Sequence, residues 1–334
     1  MSTMVPGYQH WRGESTGIWT RRWTITRYGL RLCWRSRLLK ILFAVVWVSA
    51  LGLVALHFMV GQVLSPDSAL LAYFTENFGR RAKAVVDGMA AWILLYPEIS
   101  VDGLYRFTLS YASLLYGTLC FYAVALFVPK LISHDLSSRA ILVYNSKALT
   151  RFDYLLGKFG IVATLVAALA VAPLVMIWFL GNLLSPDWSF FWHGLPALGR
   201  ALVVGGVTTV SLSLFALAVS SLAKKTSSAT AFWILAWVIS GFAASAASQV
   251  FSWGRYLSPG VCLREIAHRV YAVSDAVEKA KESLPLFKST LESLPRKTSI
   301  LEATPDQGWW VPCLFLAGFC VLALFAISKR VQPE

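Results

Sequence analysis

Polar side chains that could do chemistry are concentrated in one stretch, HDLSSRAILVYNSKALTRFDYLLGKFG, at residues 134–160. Thr150 and Asp153 have the spacing of a capping box, in which the Thr hydroxyl accepts a hydrogen bond from the Asp153 amide and the carboxylate accepts one from the Thr150 amide. This pairing predicts that a helix begins here, about two turns before a long apolar run. Upstream, a polar half from Ser133 to Arg139 and an apolar half from Ile141 to Tyr144 predict a small helix with two unlike sides.

Signatures of catalysis are absent from the sequence. HExxH, GxSxG and GxxxxGK[ST] do not occur, so the chain lacks the usual motifs of a zinc protease, a serine hydrolase and a phosphate-binding loop. The cysteines form no CxxC and have no zinc spacing with His. They are Cys33, Cys120, Cys262, Cys313 and Cys320. Three of them lie inside apolar runs, which favours a packing role for those three. We therefore predict no catalytic, cofactor-binding or metal-binding residue, and ATP could be used only through another chain.

The composition is that of an integral membrane protein. Hydrophobic residues make up 57% of the 334 residues and charged residues only 14%, with a mean hydropathy of +0.61, whereas soluble domains carry about 25% charged residues. Six apolar runs reach the length needed to cross a bilayer. They are Ile41–Leu64, Phe107–Val128, Phe159–Leu180, Ala201–Leu222, Ala231–Phe251 and Trp309–Ile327. A seventh, Ala84–Tyr96, is short and contains Asp87, which favours an interfacial or re-entrant helix.

These six runs contain no Asp, Glu, Lys or Arg. Apart from Cys and Tyr, His57 is their one titratable residue, and we expect it to pack rather than to relay protons. A carrier driven by its own ion site is therefore disfavoured, because such carriers need ionisable groups within the membrane.

The distribution of charge predicts the orientation. With both termini in the cytoplasm, the segments 1–40, 129–158, 223–230 and 328–334 hold 17 Lys and Arg against four acidic residues, whereas the outer loops are balanced. This asymmetry follows the positive-inside rule. Anionic membrane lipid is the expected partner of these basic segments, and nucleic acid is not. An ordinary basic loop that obeys this rule remains the alternative for residues 129–158.

The segment GIWTRRWTITRYGLRLCWRSRLLK predicts an amphipathic helix in the plane of the membrane, over residues 18–40. One face gathers Trp19, Trp23, Leu30 and Trp34, with Arg27, Arg31 and Arg35 beside it. A soluble linker with a chance pattern is the alternative. Residues 1–17 are expected to form a disordered cytoplasmic tail.

Two outer loops are long, at residues 65–106 and 252–308. The second begins a helix at Ser258-Pro259, because Ser is a good N-cap and Pro fits the first helical position. Its apolar residues then recur at helical spacing and predict one buried face: Ile266, Val270, Val273, Val277, Ala280 and Leu284. This region is predicted to form an extracytoplasmic helical cap that packs on the spans or on a second subunit. A partner-binding coiled coil is the alternative.

The predicted organisation is thus all-α, with six transmembrane helices, an N-terminal interfacial helix and an outer cap. Residues 41–251 carry the first five spans, with a cytoplasmic loop at 129–158, and residues 309–334 form the sixth span and a cytoplasmic tail. This order resembles the permease subunits of the second class of ABC exporters over residues 18–60 and 107–251. The likeness is strongest at 133–160, although Lys147-Ala148 replaces the usual Arg-Pro, and SSLAKKTSSATAFW at 220–233 resembles the family's link between spans four and five.

The resemblance implies an ATP-driven exporter in the inner membrane, built from two permease and two ATPase subunits, with ATP and Mg²⁺ held by the ATPase. The second permease copy would be identical or closely related. The coupling helix would be Ser133–Asn145 and the interfacial elbow Ile18–Arg37. The residues expected to couple to the ATPase are Ser133, Asp135, Arg139, Tyr144, Lys147, Thr150, Arg151 and Asp153.

Spans one and five would line the interface between the two permease copies and the transport pathway. Four small residues of span five would permit close helix approach: Gly241, Ala244, Ser245 and Ser248. Pro173 is expected to kink span three. The apolar spans favour a lipid-like or amphipathic cargo. Two other classes of function remain open: a membrane scaffold or assembly protein whose cap binds a partner, and a membrane-embedded enzyme.

Overall fold

The structure is a computed structural model that describes residues 17–63, 73, 87–88, 91–93, 95–127, 131–137, 150–183, 189–223, 225–283 and 308–330. Over these ranges the regular structure is helical and contains no strand. The helices are α1 (Ile18–Trp34), α2 (Arg37–Val63), α3 (Pro97–Phe127), α4 (Ile132–Ser137), α5 (Arg151–Ala170), α6 (Ala172–Leu183), α7 (Ser189–Leu222), α8 (Thr226–Ser248), α9 (Pro259–Tyr271), α10 (Val273–Ser283) and α11 (Trp310–Arg330), with a 3₁₀ turn at Gly254–Leu257. The predicted all-α fold is confirmed.

Among the described residues, six helical segments are long and apolar enough to cross a membrane, as the sequence predicted. They are Arg37–Gln62, Glu98–Phe127, Arg151–Leu183, Phe191–Leu222, Ser228–Ser248 and Trp310–Lys329. Each coincides with one predicted apolar run. The chain is therefore an all-α, multi-pass membrane protein. Helix α7 is central to the bundle, since α3, α5, α6, α9 and α11 all pack against it.

Two spanning helices begin well before their apolar runs, because charged residues at one end of the bundle neutralise one another. The Asp102 carboxylate accepts hydrogen bonds from Arg106 Nε at 2.7 Å and Arg200 Nη1 at 2.5 Å. Arg106 Nη1 also donates to the carbonyl of Ala272 at 3.1 Å. We name this end, marked by Asp102, Arg200 and Ala272, the cap end. Because these charges are paired, α3 and α7 can include charged residues, whereas the predicted apolar runs stop before them.

The third span is interrupted at Val171, between α5 and α6. Pro173 stands just beyond the break, where it lacks the N–H that a continuous helix would direct to the carbonyl of Leu169. The interruption lies where a kink was predicted, but backbone hydrogen bonds from Val171 to Ala167 and from Val175 to Val171 continue across it, so the bend itself stays a prediction. Pro196, by contrast, lies inside α7, whose helix continues from Ser189 to Leu222.

The outer region forms two helices where the sequence predicted one. Helix α9 starts after Ser258, as predicted, but it ends at Ala272, a non-glycine residue in the left-handed conformation with φ 45°. A Cβ on Gly260 would lie 2.9 Å from the Trp237 ring, and Trp237 is halfway along α8. Helix α9 therefore runs from the middle of the bundle to the cap end, so its first turns lie between spans instead of outside them.

The short segment Ala84–Tyr96 is described only in part, and most of the loop 65–106 lies outside the described residues, as do residues 1–16 and 284–307. The described positions 87–88, 91–93 and 95 are helical. Trp92 Nε1 donates to the hydroxyl of Ser283 at 3.3 Å, which joins this loop to α10.

Candidate functional site

The predicted capping box is confirmed at the start of α5. The Asp153 amide donates to Thr150 Oγ1 at 3.2 Å, and the Thr150 amide donates to Asp153 Oδ2 at 3.2 Å. The Thr150 hydroxyl also donates to the same carboxylate oxygen at 2.5 Å. Helix α5 therefore begins at Arg151, and the cap satisfies the amides of Thr150 and Asp153.

The same carboxylate holds α1. Arg22 Nε donates to Asp153 Oδ1 at 2.6 Å, and Arg22 Nη2 lies 2.5 Å from the same oxygen. Asp153 is 6% exposed, so the ion pair is largely withdrawn from solvent. One oxygen of Asp153 thus caps α5 while the other binds α1, and the two helices are fixed to each other at this point.

Glycines bring the backbones of α1 and α5 together. A Cβ on Gly157 would lie 2.9 Å from Cβ and Cγ2 of Ile25, and a Cβ on Gly160 would lie 2.7 Å from Oγ1 of Thr26. Gly29 of α1 in turn makes room for Ile161. Thr26 Oγ1 donates to the carbonyl of Gly157 at 3.0 Å. Helix α1 is therefore packed directly onto the protein along one face.

The predicted tryptophan face of α1 is next to this packed face and points outwards. Trp19, Trp23 and Trp34 are 75%, 58% and 44% exposed, and Arg27, Arg31 and Arg35 are exposed beside them. The helix ends at Trp34 rather than continuing to residue 40, because the chain turns at Arg35 and α2 starts at Arg37. Leu30 is only partly buried and packs against the core instead of joining the exposed tryptophans.

A second buried ion pair fixes the short helix α4 to α5. Lys158 Nζ lies 2.7 Å from Asp135 Oδ2, and the Tyr154 hydroxyl donates to the same oxygen at 2.7 Å. Lys158 Nζ also donates to the carbonyl of Leu131 at 3.0 Å. Both charged side chains are about nine-tenths buried. Because a buried charge is costly unless paired, this arrangement strongly favours one position of α4 on α5.

The first residues of α4 are held from another helix. Ser220 Oγ of α7 accepts hydrogen bonds from the amides of Ile132 at 2.9 Å and Ser133 at 3.0 Å. These amides belong to the first turn of α4, whose donors have no partner within the helix. Helix α4 is thus connected to both α5 and α7. We name the end of the bundle marked by Arg22, Asp135, Thr150 and Ser220 the α1 end.

The residues predicted to couple to an ATPase fall into three groups. Thr150 and Arg151 are exposed, whereas Arg139, Tyr144 and Lys147 lie outside the described residues. Ser133, Asp135 and Asp153 are 0%, 8% and 6% exposed. The expectation that the two carboxylates face a partner is therefore corrected: both are occupied by bonds within the chain, which hold neighbouring helices in position. The predicted helix Ser133–Asn145 is described only as Ile132–Ser137.

Sequence reasoning did not select several residues on which this site depends. They are Arg22, Thr26, Tyr154, Gly157, Lys158 and Ser220. Lys158 carried a usable signal, since a lysine two turns into an otherwise apolar helix implies a buried partner. Arg22 and Ser220 carried none, because their partners are far away in the sequence.

The four small residues of α8 have different surroundings. Ser245 and Ser248 are exposed, Gly241 has open space beside its Cα, and Ala244 is 3% exposed. The close approach that the small residues permit occurs with the chain's own 3₁₀ turn, because a Cβ on Gly254 would lie 2.3 Å from the backbone of Ala247. Large apolar side chains cover the rest of α8 and are exposed: Phe232, Ile234, Leu235, Val238, Ile239 and Phe242.

The described part of the cluster at the α1 end connects helices through hydrogen bonds and ion pairs. Its cations and carboxylates are paired with one another, as described above. Within the described ranges, no group of three or more His, Cys, Asp or Glu residues could hold a metal ion. What the geometry can do is mechanical: movement of α1 or α4 is passed to the start of α5.

Comparison of the chain with protein-family models gave no match, and a search of curated proteins found no similar sequence.

Proposed function

We propose that this protein is the permease subunit of an ATP-driven exporter and that a separate ATPase subunit supplies the energy. The observation that carries the proposal is the Asp135 carboxylate, which accepts from both Tyr154 and Lys158 while almost completely buried. This bond joins a short helix outside the spans to the beginning of a spanning helix. The resemblance of residues 133–160 to the permease subunits of second-class ABC exporters supports the same function.

A stiff connection is what such a subunit needs. Hydrolysis in a partner can move cargo only if its movement reaches the spans without being absorbed by a flexible joint. Here α4 and α1 are each bound to α5 by a buried ion pair, and the capping box prevents the start of α5 from fraying. A push on either helix would therefore displace the third span.

The partner would dock at the α1 end, which on this proposal faces the cytoplasm of a cell with an inner membrane. Arg151 and the exposed face of α1 are available there; Arg139, Tyr144 and Lys147 belong to the sequence between α4 and α5 and lie outside the described residues. The excess of Lys and Arg in these segments supports a cytoplasmic location. ATP and Mg²⁺ would be bound by the ATPase.

A second permease copy would pack against α2 and α8. Both helices leave large apolar side chains exposed, among them Val45 and Val48 on α2 and Ile239 on α8. In a membrane these faces contact either lipid or another helix. The resemblance favours a second copy, because spans one and five form the two-fold interface in that family.

The test is reconstitution with an ATPase that carries a Walker A motif and is encoded beside this chain. Co-purification and permease-stimulated ATP hydrolysis would be measured for wild type and for four variants: Asp135→Ala, Arg139→Ala, Lys147→Ala and Thr150→Ala. We expect Arg139→Ala and Lys147→Ala to weaken association. Asp135→Ala and Thr150→Ala should reduce stimulated hydrolysis. Because Asp135→Ala leaves Lys158 buried without its counterion, its folding would be checked separately through protection of the buried Cys33 and Cys120 thiols. Lys225→Ala, which removes an exposed cation at the same end, is the matched control. Stimulated hydrolysis that is unchanged in all four variants would contradict the proposal.

A membrane scaffold is the second candidate function. It is favoured by the bonds that fix the outer region, from Arg106 to Ala272 and from Trp92 to Ser283, because a rigid cap suits binding of a partner. A scaffold would neither associate with the ATPase nor stimulate it, so the same reconstitution separates the two functions.

A further inference from the structure

A half-open cavity of about 490 Å³ lies between α3, α7, α8 and α9. Its volume is within the range of small-molecule sites, about 300–1,000 Å³. Phe121 and Trp237 contribute aromatic walls, and Gly117 and Gly241 leave open space where a larger side chain would fill it. The greater part of the cavity is therefore shaped to receive an apolar body.

One part of the cavity is polar, because α9 begins there. Ser258, the N-cap of α9, lines the cavity and is 5% exposed. Its hydroxyl makes no capping bond and has no hydrogen-bond partner among the described residues. The amides that follow, at Gly260 and Val261, belong to the first turn and lack acceptors within the helix. A serine that is almost fully buried and the positive end of a helix therefore border the same space.

A cation completes this polar part. Arg264 lies one turn beyond Gly260 and also lines the cavity, although its side chain is exposed. No described carboxylate is paired with it, since the neighbouring Glu265 is bonded by Arg269 at 3.2 Å and lies 3.9 Å from Arg255. The cavity thus has, beside its apolar walls, an exposed cation that no described carboxylate pairs with.

We propose that this cavity binds an anionic amphiphile. Its acidic group would lie at Ser258 and Arg264, and its hydrocarbon part would lie against Phe121 and Trp237. A neutral lipid would leave the cation unpaired, and a small inorganic anion would leave the apolar walls uncovered. Binding is inferred from the cavity alone, whereas the further step that this amphiphile is the transported cargo rests on the proposed function.

The test uses the full chain in phosphatidylcholine nanodiscs without any ATPase, so its result is independent of the proposed function. The probe is a long-chain fatty acid with a photoactivatable diazirine and an alkyne handle, and the corresponding fatty alcohol is the neutral probe. Saturable labelling would be measured and the labelled peptides identified by mass spectrometry. We expect the acid to label the segments around Gly117 and Trp237.

Two substitutions test the two halves of the site. Arg264→Gln should raise the half-saturating concentration of the acid about tenfold, since a charge-assisted hydrogen bond is lost, and should leave labelling by the alcohol unchanged. Gly241→Leu should fill the cavity and abolish labelling by both probes. Arg27→Gln, which removes an exposed arginine at the other end of the bundle, is the control. Equal labelling by the acid in wild type and Arg264→Gln, or labelled peptides only outside the cavity, would overturn the proposal.

Folding of each variant would be checked by the reactivity of Cys33 and Cys120, which are 2% and 0% exposed. A variant whose thiols stay protected at the temperature of the assay is folded. Arg264→Lys provides a second check, because it keeps the charge and should retain most of the affinity for the acid.

Discussion

Lys158 of α5 lies 2.7 Å from the carboxylate of Asp135 on α4, and both side chains are about nine-tenths buried. The Tyr154 hydroxyl donates to the same oxygen from one turn earlier on α5. The two residues are 23 positions apart in the sequence, and their pairing decides where the short helix sits. Removing only one partner of this pair should lower the free energy of unfolding.

Lys158→Met should destabilise the protein by about 3–5 kcal/mol, because the Asp135 carboxylate is left buried without its cation. The double variant Lys158→Met with Asp135→Leu should recover much of this loss, since apolar residues can replace a buried pair. Thermal unfolding in detergent, followed by a thiol-reactive dye that reaches buried Cys33 and Cys120, measures both. Lys225→Met is the exposed control. A double variant no more stable than Lys158→Met would contradict this account.

Thr150→Ala should cost about 1 kcal/mol through loss of the N-cap. The effect should be local, so hydrogen exchange should accelerate at the amides of residues 151–154, while the amides of α7 stay protected. Thr150→Ser keeps the hydroxyl and should behave like wild type. If Thr150→Ser exchanges as fast as Thr150→Ala, the hydroxyl is not what holds the first turn.

Gly157→Ala should destabilise the protein by about 1–3 kcal/mol, since overpacking is costly. The new methyl group would lie 2.9 Å from Cβ and Cγ2 of Ile25, which cannot move without moving α1. Gly52→Ala is a matched control, because a Cβ there meets nothing within 4 Å and alanine favours helix. Thermal unfolding with the same dye measures both variants.

Shortening Ile25 should restore part of the stability that Gly157→Ala loses. If the two substitutions acted independently, the double variant Gly157→Ala with Ile25→Ala would lose the sum of the two single losses in unfolding temperature. We expect a smaller loss, which brings the double variant close to Ile25→Ala alone. Strict additivity of the two substitutions would mean that they do not meet across the helix interface.

The charge asymmetry predicts the topology. A fluorescent protein fused after residue 334 should fluoresce, and alkaline phosphatase fused at the same point should be inactive, since that terminus is expected in the cytoplasm. Phosphatase fused after residue 305, in the predicted outer loop, should be active. The reverse pattern would place the α1 end outside and remove it from the reach of any cytoplasmic ATPase.

Local patterns in the sequence were sufficient for the elements. The six spans follow from hydropathy over about 20 consecutive residues, and the start of α5 follows from two residues three positions apart. Both signals are contained within single segments, and therefore they do not depend on how segments pack. The same holds for the start of α9 at Ser258-Pro259, although its end at Ala272 was missed because alanine rarely adopts a positive φ.

Only the tertiary structure decided the partners. Arg22 and Asp153 are 131 positions apart, and Ser220 lies 88 positions from the amide of Ile132 that it binds. Such pairs form only when each helix has the right rotation about its axis and lies close enough to its neighbour. Glycines such as Gly157 allow that close approach, and the sequence alone does not show which helix will lie against them. The sequence alone therefore determined that the excess of Lys and Arg falls on one side of the six predicted spans. Packing determined that the carboxylates of Asp135 and Asp153 are buried, because a buried charge is stable only where a neighbouring residue supplies its counterion.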